Sequence, residues 1–165
     1  MHEQYMREAI EEAKLAQLAG DVPVGAVVVC EGKILARAHN EREMTADPTA
    51  HAEVLAIRRA AMALGRRRLH GCTLYVTLEP CPMCAGAIVQ ARVTNCVIGC
   101  MNPKAGCAGS VTDLLRMEGF NHRVNVTTGV MEEPCSELLK SFFRELREKS
   151  KRRHTSSEED TARVI

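Results

Sequence analysis

The stretch at residues 77–87 constrains the fold most, because an apolar strand runs there into a double-proline turn and then into a helix. Pro80 and Pro82 flank Cys81, and Cys84 follows about one helical turn later, so both sulfurs can reach one point at a helix N-terminus. Free N–H groups and the helix dipole favour thiolate at that place. Spacing alone leaves three interpretations open: a redox dithiol, half of a zinc site, or buried structural thiols.

The rest of the chain alternates helical and strand patterns. We predict helices at 3–19, 47–65, 83–90 and from 132 onward, and strands at 25–30, 34–39, 74–77, 96–99 and 124–130. The first two strands are joined by a short turn and predict a hairpin. A strand, a helix and a strand between 74 and 99 predict a parallel pair with a right-handed crossover. The sum is an α/β fold with three layers, α/β/α, and a central mixed sheet of about five strands.

Composition limits the domain organisation and the setting. The 165 residues, 45% of them hydrophobic, suffice for one domain, which we place at 1–149. Residues 150–165 are almost wholly polar and are predicted to be a disordered tail. With a net charge of +1, nucleic-acid binding requires a local basic patch. The N-terminal residues lack a secretory pattern, so we expect a cytoplasmic protein with reduced thiols, and no apolar run is long enough to span a membrane.

A third metal ligand is predicted near a second helix start. Asp47 followed by Pro48 predicts that a helix begins there, which places His51 and Glu53 in its opening turns. Side chains in the first turns tilt toward the N-terminal end, so His51 can reach a point beyond that end. Among the other histidines, His39 and His122 remain open candidates.

Three protein ligands leave one position open on zinc, which is typical of a catalytic site. Glu53, close to such a site but not a ligand, would take a proton from water and pass it to the leaving nitrogen. The six other cysteines are expected to be small buried side chains.

His51-Ala52-Glu53 together with Pro80-Cys81-Pro82-Met83-Cys84 matches the signature of the zinc nucleobase deaminases. Over about residues 3–147 the sequence resembles the bacterial tRNA-specific adenosine deaminases, within the cytidine deaminase-like superfamily. The matching segments are residues 22–26, 39–40, 47–53, 77–87, 103–106, 120–123 and 141–144.

This resemblance implies hydrolytic deamination of the wobble adenosine of a tRNA anticodon to inosine. It implies one Zn²⁺ per subunit on His51, Cys81 and Cys84, with Glu53 as the proton carrier. It also implies a homodimer, with an arginine tRNA as the expected substrate. The substrate contacts that it implies are Val24, Asn40, Asn102, Lys104, Asn121, His122, Phe143 and Arg144.

Some of these contacts have structural alternatives. Asn40 and Asn121 can instead bond their own backbone as turn residues, and Phe143 can instead belong to the core. Asn102 stands where the resembling family commonly has an acidic residue. A carboxylate favours a ribose 2′-hydroxyl, so Asn102 implies weaker rejection of DNA, unless it only caps the turn before Pro103.

Two other functions remain open: a small-molecule deaminase for guanine or cytosine-type bases, and a non-enzymatic binding module stapled by zinc. A structural zinc site has no use for a carboxylate such as Glu53 outside the ligand set. Residues 140–153 carry seven basic and two acidic side chains, a field that suits the phosphates of an anticodon stem and that a free base does not need.

Overall fold

The computed structural model describes the backbone of residues 1–162 and the side chains of residues 1–156. Its elements, in chain order, are α1 (His2–Leu18), β1 (Gly25–Cys30), β2 (Lys33–His39), α2 (Arg42–Thr45), α3 (Ala52–Leu64), β3 (Cys72–Leu78), α4 (Pro82–Gln90), β4 (Asn95–Cys100), β5 (Asn125–Thr127) and α5 (Glu132–Ala162). The five strands form one sheet in the order β2-β1-β3-β4-β5. The β2/β1 and β1/β3 pairs are antiparallel, whereas β3/β4 and β4/β5 are parallel, so the predicted mixed sheet is confirmed.

The predicted hairpin closes with a two-residue turn. Glu31 and Gly32 have φ values of 50° and 74°, and Cys30 pairs with Lys33 on either side of them. Positive φ at both central residues is the geometry that matches the right-handed twist of the paired strands. The turn therefore fixes the register of the first pairs beside it, and a bulge between Val28 and Val29 shifts the register over the rest of the hairpin.

Helices cover both faces of the sheet. On one face α3 and α4 enclose a core that includes Val28, Leu74 and Ile98, and on the other face α1 and α5 enclose Val27 and Tyr75. A Cβ atom on Gly25 would lie 1.9 Å from the carbonyl oxygen of Ala9, because α1 crosses β1 at very close range. This arrangement confirms the three-layer α/β/α fold. Within residues 1–162, no helix combines the length and the apolar character needed to cross a membrane.

The sheet gathers several chain ends at one edge. The carboxyl ends of β3 and β4 lie together there because the two strands are parallel. Since β1 runs antiparallel to β3, and β2 to β1, the start of β1 and the end of β2 lie at the same edge. The N-termini of α3 and α4, which follow β2 and β3, begin beside it, so this edge is where the fold brings chemical groups together.

Helix α3 begins later than the sequence predicts. The Asp47 carboxylate accepts hydrogen bonds from the backbone N–H of Thr49 at 2.8 Å and from its hydroxyl at 2.7 Å, which closes a turn and not a helix. The helix begins at Ala52, with His51 as the N-cap. The prediction that helix 47–65 starts at Asp47 is therefore wrong by about one turn, because the side chain of Asp47 competes for the local backbone.

The C-terminal helix continues to Ala162, into the segment that the sequence predicts to be a disordered tail, and residues 163–165 of that segment lie outside the described residues. No Gly or Pro interrupts residues 135–162, and α5 extends to Ala162. All described side chains from Phe143 to Ser156 are exposed, so packing against the body of the protein ends before the helix does. The domain boundary at residue 149 stays a prediction.

Candidate metal centre and active site

Two helix N-termini meet at the shared edge of the sheet and present three metal-binding side chains. His51 is the N-cap of α3 and Cys81 is the N-cap of α4, both with extended backbone at ψ of 149° and 174°. Pro82 occupies the first position of α4, where a missing N–H costs nothing. Cys84 is one turn further on, fully buried. The cap positions point the imidazole and the sulfur of Cys81 beyond the helix ends.

The geometry of this group fits zinc. His51 Nδ1 lies 3.7 Å from Cys81 Sγ and 3.5 Å from Cys84 Sγ, and the three ligand atoms all lie within 4.8 Å of one another. Zinc bond lengths of about 2.0 Å to nitrogen and about 2.3 Å to sulfur imply a separation of about 3.6 Å between such ligands in a tetrahedral site. The two imidazole–sulfur separations therefore match those of a tetrahedral zinc site, and the three side chains are close enough together to hold one metal ion.

The same group stabilises a thiolate. A hydrogen bond from the Cys84 thiol lowers the pKa of Cys81 to about 4, and a hydrogen bond to His51 adds to this effect against the opposing effect of burial. The bond to Cys81 raises the pKa of His51. The pKa of Cys84 is raised because its proton is bonded to Cys81 and because the thiol is buried. Negative charge is thus localised on Cys81 at a positive helix end.

Glu53 lies beside the group with a carboxylate oxygen that has no protein partner. The residue is 4% exposed, and its Oε2 has no hydrogen-bond partner among the described residues. Burial raises the pKa of Glu53 to about 6. A buried carboxylate that lines a cleft and titrates near neutrality is able to accept and return a proton.

Asn40 fixes the start of α3 beside the metal group. Its Oδ1 accepts a hydrogen bond from the backbone N–H of Ala52 at 2.9 Å, and its Nδ2 donates to the carbonyl of Val22 at 3.2 Å. The side chain is 4% exposed and also lines the cleft. Asn40 therefore bonds the backbone of two distant segments and not that of its own turn, and it does so where it positions His51 and Glu53.

Glu79 is a buried residue of the site region that sequence reasoning missed. Its Oε2 accepts from the backbone N–H of Asn102 at 2.8 Å and from the Ser110 hydroxyl. Its Oε1 accepts from the backbone N–H groups of Ala108 at 2.9 Å and Ser110 at 3.0 Å. A Cβ on Gly106 would lie 2.0 Å from this carboxylate. One side chain thus anchors the loop at 102–110, and a carboxylate directly before Pro80 at the strand end was the available clue.

A cleft of about 820 Å³ opens over the metal group. Six of the eight predicted substrate contacts line it: Val24, Asn40, Asn102, Lys104, Phe143 and Arg144. Further cations that line it are Arg42, Lys140 and Arg147. Asn102 also caps a turn, since its Oδ1 accepts from the backbone N–H groups of Lys104 at 3.2 Å and Ala105 at 3.3 Å.

Asn121 and His122 do not line the cleft. Asn121 Oδ1 accepts from Arg92 at 3.0 Å, and His122 Nε2 donates to the carbonyl of Val93 at 2.7 Å. Nor does His39, left open by the sequence, join the metal group, because its Nδ1 bonds Glu12 at 2.7 Å. The contacts of Asn121 and His122 with a substrate stay predictions.

The fold and the His51, Cys81 and Cys84 group with Glu53 beside it define a deaminase. The family profile of the MafB19-like deaminases matches residues 1–147, and the chain belongs to this family. It is 57% identical to the tRNA-specific adenosine deaminase of Bacillus subtilis (strain 168), over 90% of this chain and 92% of that protein. The resemblance seen in the sequence is confirmed.

Solved structures agree with this assignment. A structure from a study of A-to-I editing by tRNA:A34 deaminases at the wobble position has a TM-score of 0.80 and 41% identity, covering 82% of this chain and 99% of that one. Guanine deaminase from Bacillus subtilis has a TM-score of 0.61 and 37% identity, covering 76% of this chain and 83% of that one. The fold is thus shared by enzymes with different substrates.

Proposed function

We propose that this protein hydrolyses the adenosine at the wobble position of a tRNA anticodon to inosine, with release of ammonia. The observation that carries the proposal is the unpartnered, buried carboxylate oxygen of Glu53 beside three convergent metal ligands. The 57% identity to a tRNA-specific adenosine deaminase, against 37% to a guanine deaminase, favours the tRNA substrate over a free base.

The proposed cofactor is one Zn²⁺ per chain, held by His51, Cys81 and Cys84. One imidazole and two sulfurs suit zinc, and their separations match its bond lengths. When bound there, zinc supplies the Lewis acidity that makes water a nucleophile near neutral pH. Because the charges of two thiolates and Zn²⁺ cancel, the positive ends of α3 and α4 become important to the electrostatics of the site.

Glu53 is proposed to move the proton. Its Oε2 accepts a proton from the attacking water and then donates it to the amino nitrogen that leaves carbon 6 of the base as ammonia. The pKa of about 6 fits both steps, because the group exchanges its proton readily near neutral pH. Asn40 supports this role indirectly, because its side chain hydrogen-bonds both the first N–H of α3 and the carbonyl of Val22 and so holds the start of the helix in place.

The walls of the cleft suit an extruded base with flanking phosphates. The Phe143 side chain offers a ring for stacking, and Lys104 and Arg144 on opposite segments offer charge for phosphates. Asn121 and His122, outside the cleft, are proposed to contact nucleotides away from the target base. A homodimer, an arginine tRNA substrate and a cytoplasmic location complete the proposal.

The decisive experiment compares substrates. An arginine tRNA with adenosine at the wobble position should yield inosine, whereas free adenosine, guanine and cytidine should not be deaminated. Turnover of guanine or cytidine without turnover of the tRNA would refute the proposal.

Two variants test the division of roles within the site. Cys84→Ala should lose both the metal and the activity, whereas Glu53→Gln should keep one zinc per chain and lose the activity. Metal content can be measured by elemental analysis. Equal loss of metal from both variants would make Glu53 a ligand and remove its role as proton carrier.

A further inference from the structure

Two cysteines lie side by side on neighbouring strands, at the end of the sheet remote from the metal group. Cys30 is the last residue of β1 and Cys72 is the first residue of β3, and the two are paired in the antiparallel register. Cys81 follows the opposite end of β3. The pair is therefore separated from the metal ligands by the length of a strand.

The backbone hydrogen bonds show which kind of antiparallel pair this is. The N–H of Cys72 donates to the carbonyl of Leu69 at 3.1 Å, and its carbonyl accepts from the N–H of Thr94 at 3.2 Å. Both groups thus point away from β1, so Cys30 and Cys72 form a non-hydrogen-bonded pair. Such pairs have Cα atoms about 4.5 Å apart and bring their side chains closest together. A disulfide needs Cα atoms about 4.4–6.8 Å apart.

Both sulfurs lie on the same face of the sheet. Cys72 belongs to the core beneath α3 and α4, and Cys30 packs against that core. Cys30 is half-buried, whereas Cys72 is fully buried. Burial, together with a hydrogen bond to Cys30, raises the pKa of Cys72 to about 12. The two thiols are thus neighbours on one face of the sheet, and Cys30 is the one that solvent can reach.

We propose that Cys30 and Cys72 form a reversible cross-strand disulfide and are a redox modification site distinct from the metal centre. The oxidant is a small disulfide such as oxidised glutathione. The Cys30 thiolate attacks one sulfur and releases a glutathione thiolate, and the Cys72 thiolate then displaces the second glutathione. The protein loses two thiol protons and two electrons, and one small disulfide becomes two thiols.

Oxidation of this pair should change the stability of the fold and leave the metal centre unchanged. The cross-link closes the chain between residues 30 and 72, which contains β2, α2 and the whole of α3. Closing a loop of this length restricts the unfolded chain and stabilises the folded one. Because His51, Cys81 and Cys84 lie at the other end of the strands, the oxidised protein should keep its metal.

Peptide mapping of the zinc-loaded protein tests the proposal. After incubation with oxidised glutathione and alkylation of free thiols, a non-reducing digest should contain a peptide that joins Cys30 to Cys72. The joined peptide should separate on reduction, and the urea midpoint of unfolding should be higher in the oxidised protein. Since the pKa of Cys72 is raised, the yield should increase as the pH of the incubation is raised.

Matched variants complete the test. Cys30→Ser should give no such peptide and no shift in the urea midpoint after oxidation. Cys135→Ala, which removes a buried thiol on the opposite face, should retain both. The peptide map of the wild-type protein can also refute the proposal without any variant. The proposal would be overturned if Cys30 were found only alkylated, only joined to glutathione, or joined to a cysteine other than Cys72.

Discussion

Replacement of Glu79 by Gln should loosen the loop that forms one wall of the cleft. The carboxylate accepts four hydrogen bonds from this loop, two at each oxygen, and it is 1% exposed. An amide of the same shape has only one acceptor oxygen. One pair of donors must then face an NH₂ group that cannot accept.

The size of the effect follows from the better of the two amide orientations. With the NH₂ at the Oε2 position, the Ser110 hydroxyl can turn to accept, and only the N–H of Asn102 loses its partner. An unsatisfied donor costs about 1–3 kcal/mol, and the change from charged to neutral acceptor weakens the two remaining bonds by about 1 kcal/mol in total. We therefore expect Glu79→Gln to lower the free energy of unfolding by about 2–4 kcal/mol.

The assay is urea unfolding of both proteins at several pH values, with Glu11→Gln as the control. Glu11 makes an exposed ion pair with Lys14, which is worth less than about 1 kcal/mol. Although burial raises the pKa of Glu79, the hydrogen bonds led by Ser110 hold it below its usual 4.5. A carboxylate of this kind contributes stability above pH 4.5 that is lost as the pH falls through the lower folded pKa.

The difference between wild type and Glu79→Gln should therefore be constant near neutrality and shrink as the solution becomes acidic. A difference below about 0.5 kcal/mol at pH 7, within the range of ordinary surface substitutions, would show that the loop does not depend on Glu79. A difference that grows with acid would refute the sign of the pKa shift.

Three further predictions concern the site and the C-terminal helix. The pKa of Glu53 is raised from 4.5 to about 6, so the ionised carboxylate destabilises the metal-free protein by about 2 kcal/mol. Glu53→Gln should therefore increase the free energy of unfolding of the metal-free protein above pH 6, and this gain should vanish below pH 4.5. An unchanged urea midpoint at pH 7.5 would contradict this. Truncation after Ser150 should leave the melting temperature and the zinc content unchanged, and it should make the affinity for tRNA modestly weaker and less salt-dependent. Loss of the fold would show that the segment after Ser150 is structural. Asn102→Asp should keep the turn cap and increase the ratio of RNA to DNA turnover on matched anticodon loops, and an unchanged ratio would limit Asn102 to its turn.

The elements predicted correctly from the sequence are those whose determinants are local. The hairpin of β1 and β2 follows from a β-branched, apolar run and a weakly alternating run around a turn that tolerates positive φ. The start of α3 was misplaced because Asp47 and Pro48 suit a helix N-terminus as well as the turn that they form. His51 and Glu53 still lie at the helix start, because the observed helix begins at Ala52, between these two residues.

The contacts that local patterns could not reveal join distant parts of the chain. Glu79 reaches a loop 23 to 31 residues further on, and Asn40 caps a helix that begins 12 residues later. Asp21, 2% exposed, holds Arg42 at 3.1 Å at the rim of the cleft. The partners of these polar side chains lie in distant segments, and only the order of strands in the sheet shows which segment each side chain will meet.

The sheet order explains why one edge can carry the whole site. Because β1 is antiparallel to β3 and β2 antiparallel to β1, the chain leaves β2 at the same edge at which it leaves β3. Both exits lead into helices whose first cap residues, His51 and Cys81, have extended backbone and project toward each other. A sheet with β1 parallel to β3 would place the start of α3 at the opposite edge, where its imidazole could not reach the sulfurs. The metal group is thus a consequence of the mixed strand directions. The hairpin turn at Glu31 reverses β2 against β1, and α3 then returns the chain so that β3 also runs antiparallel to β1.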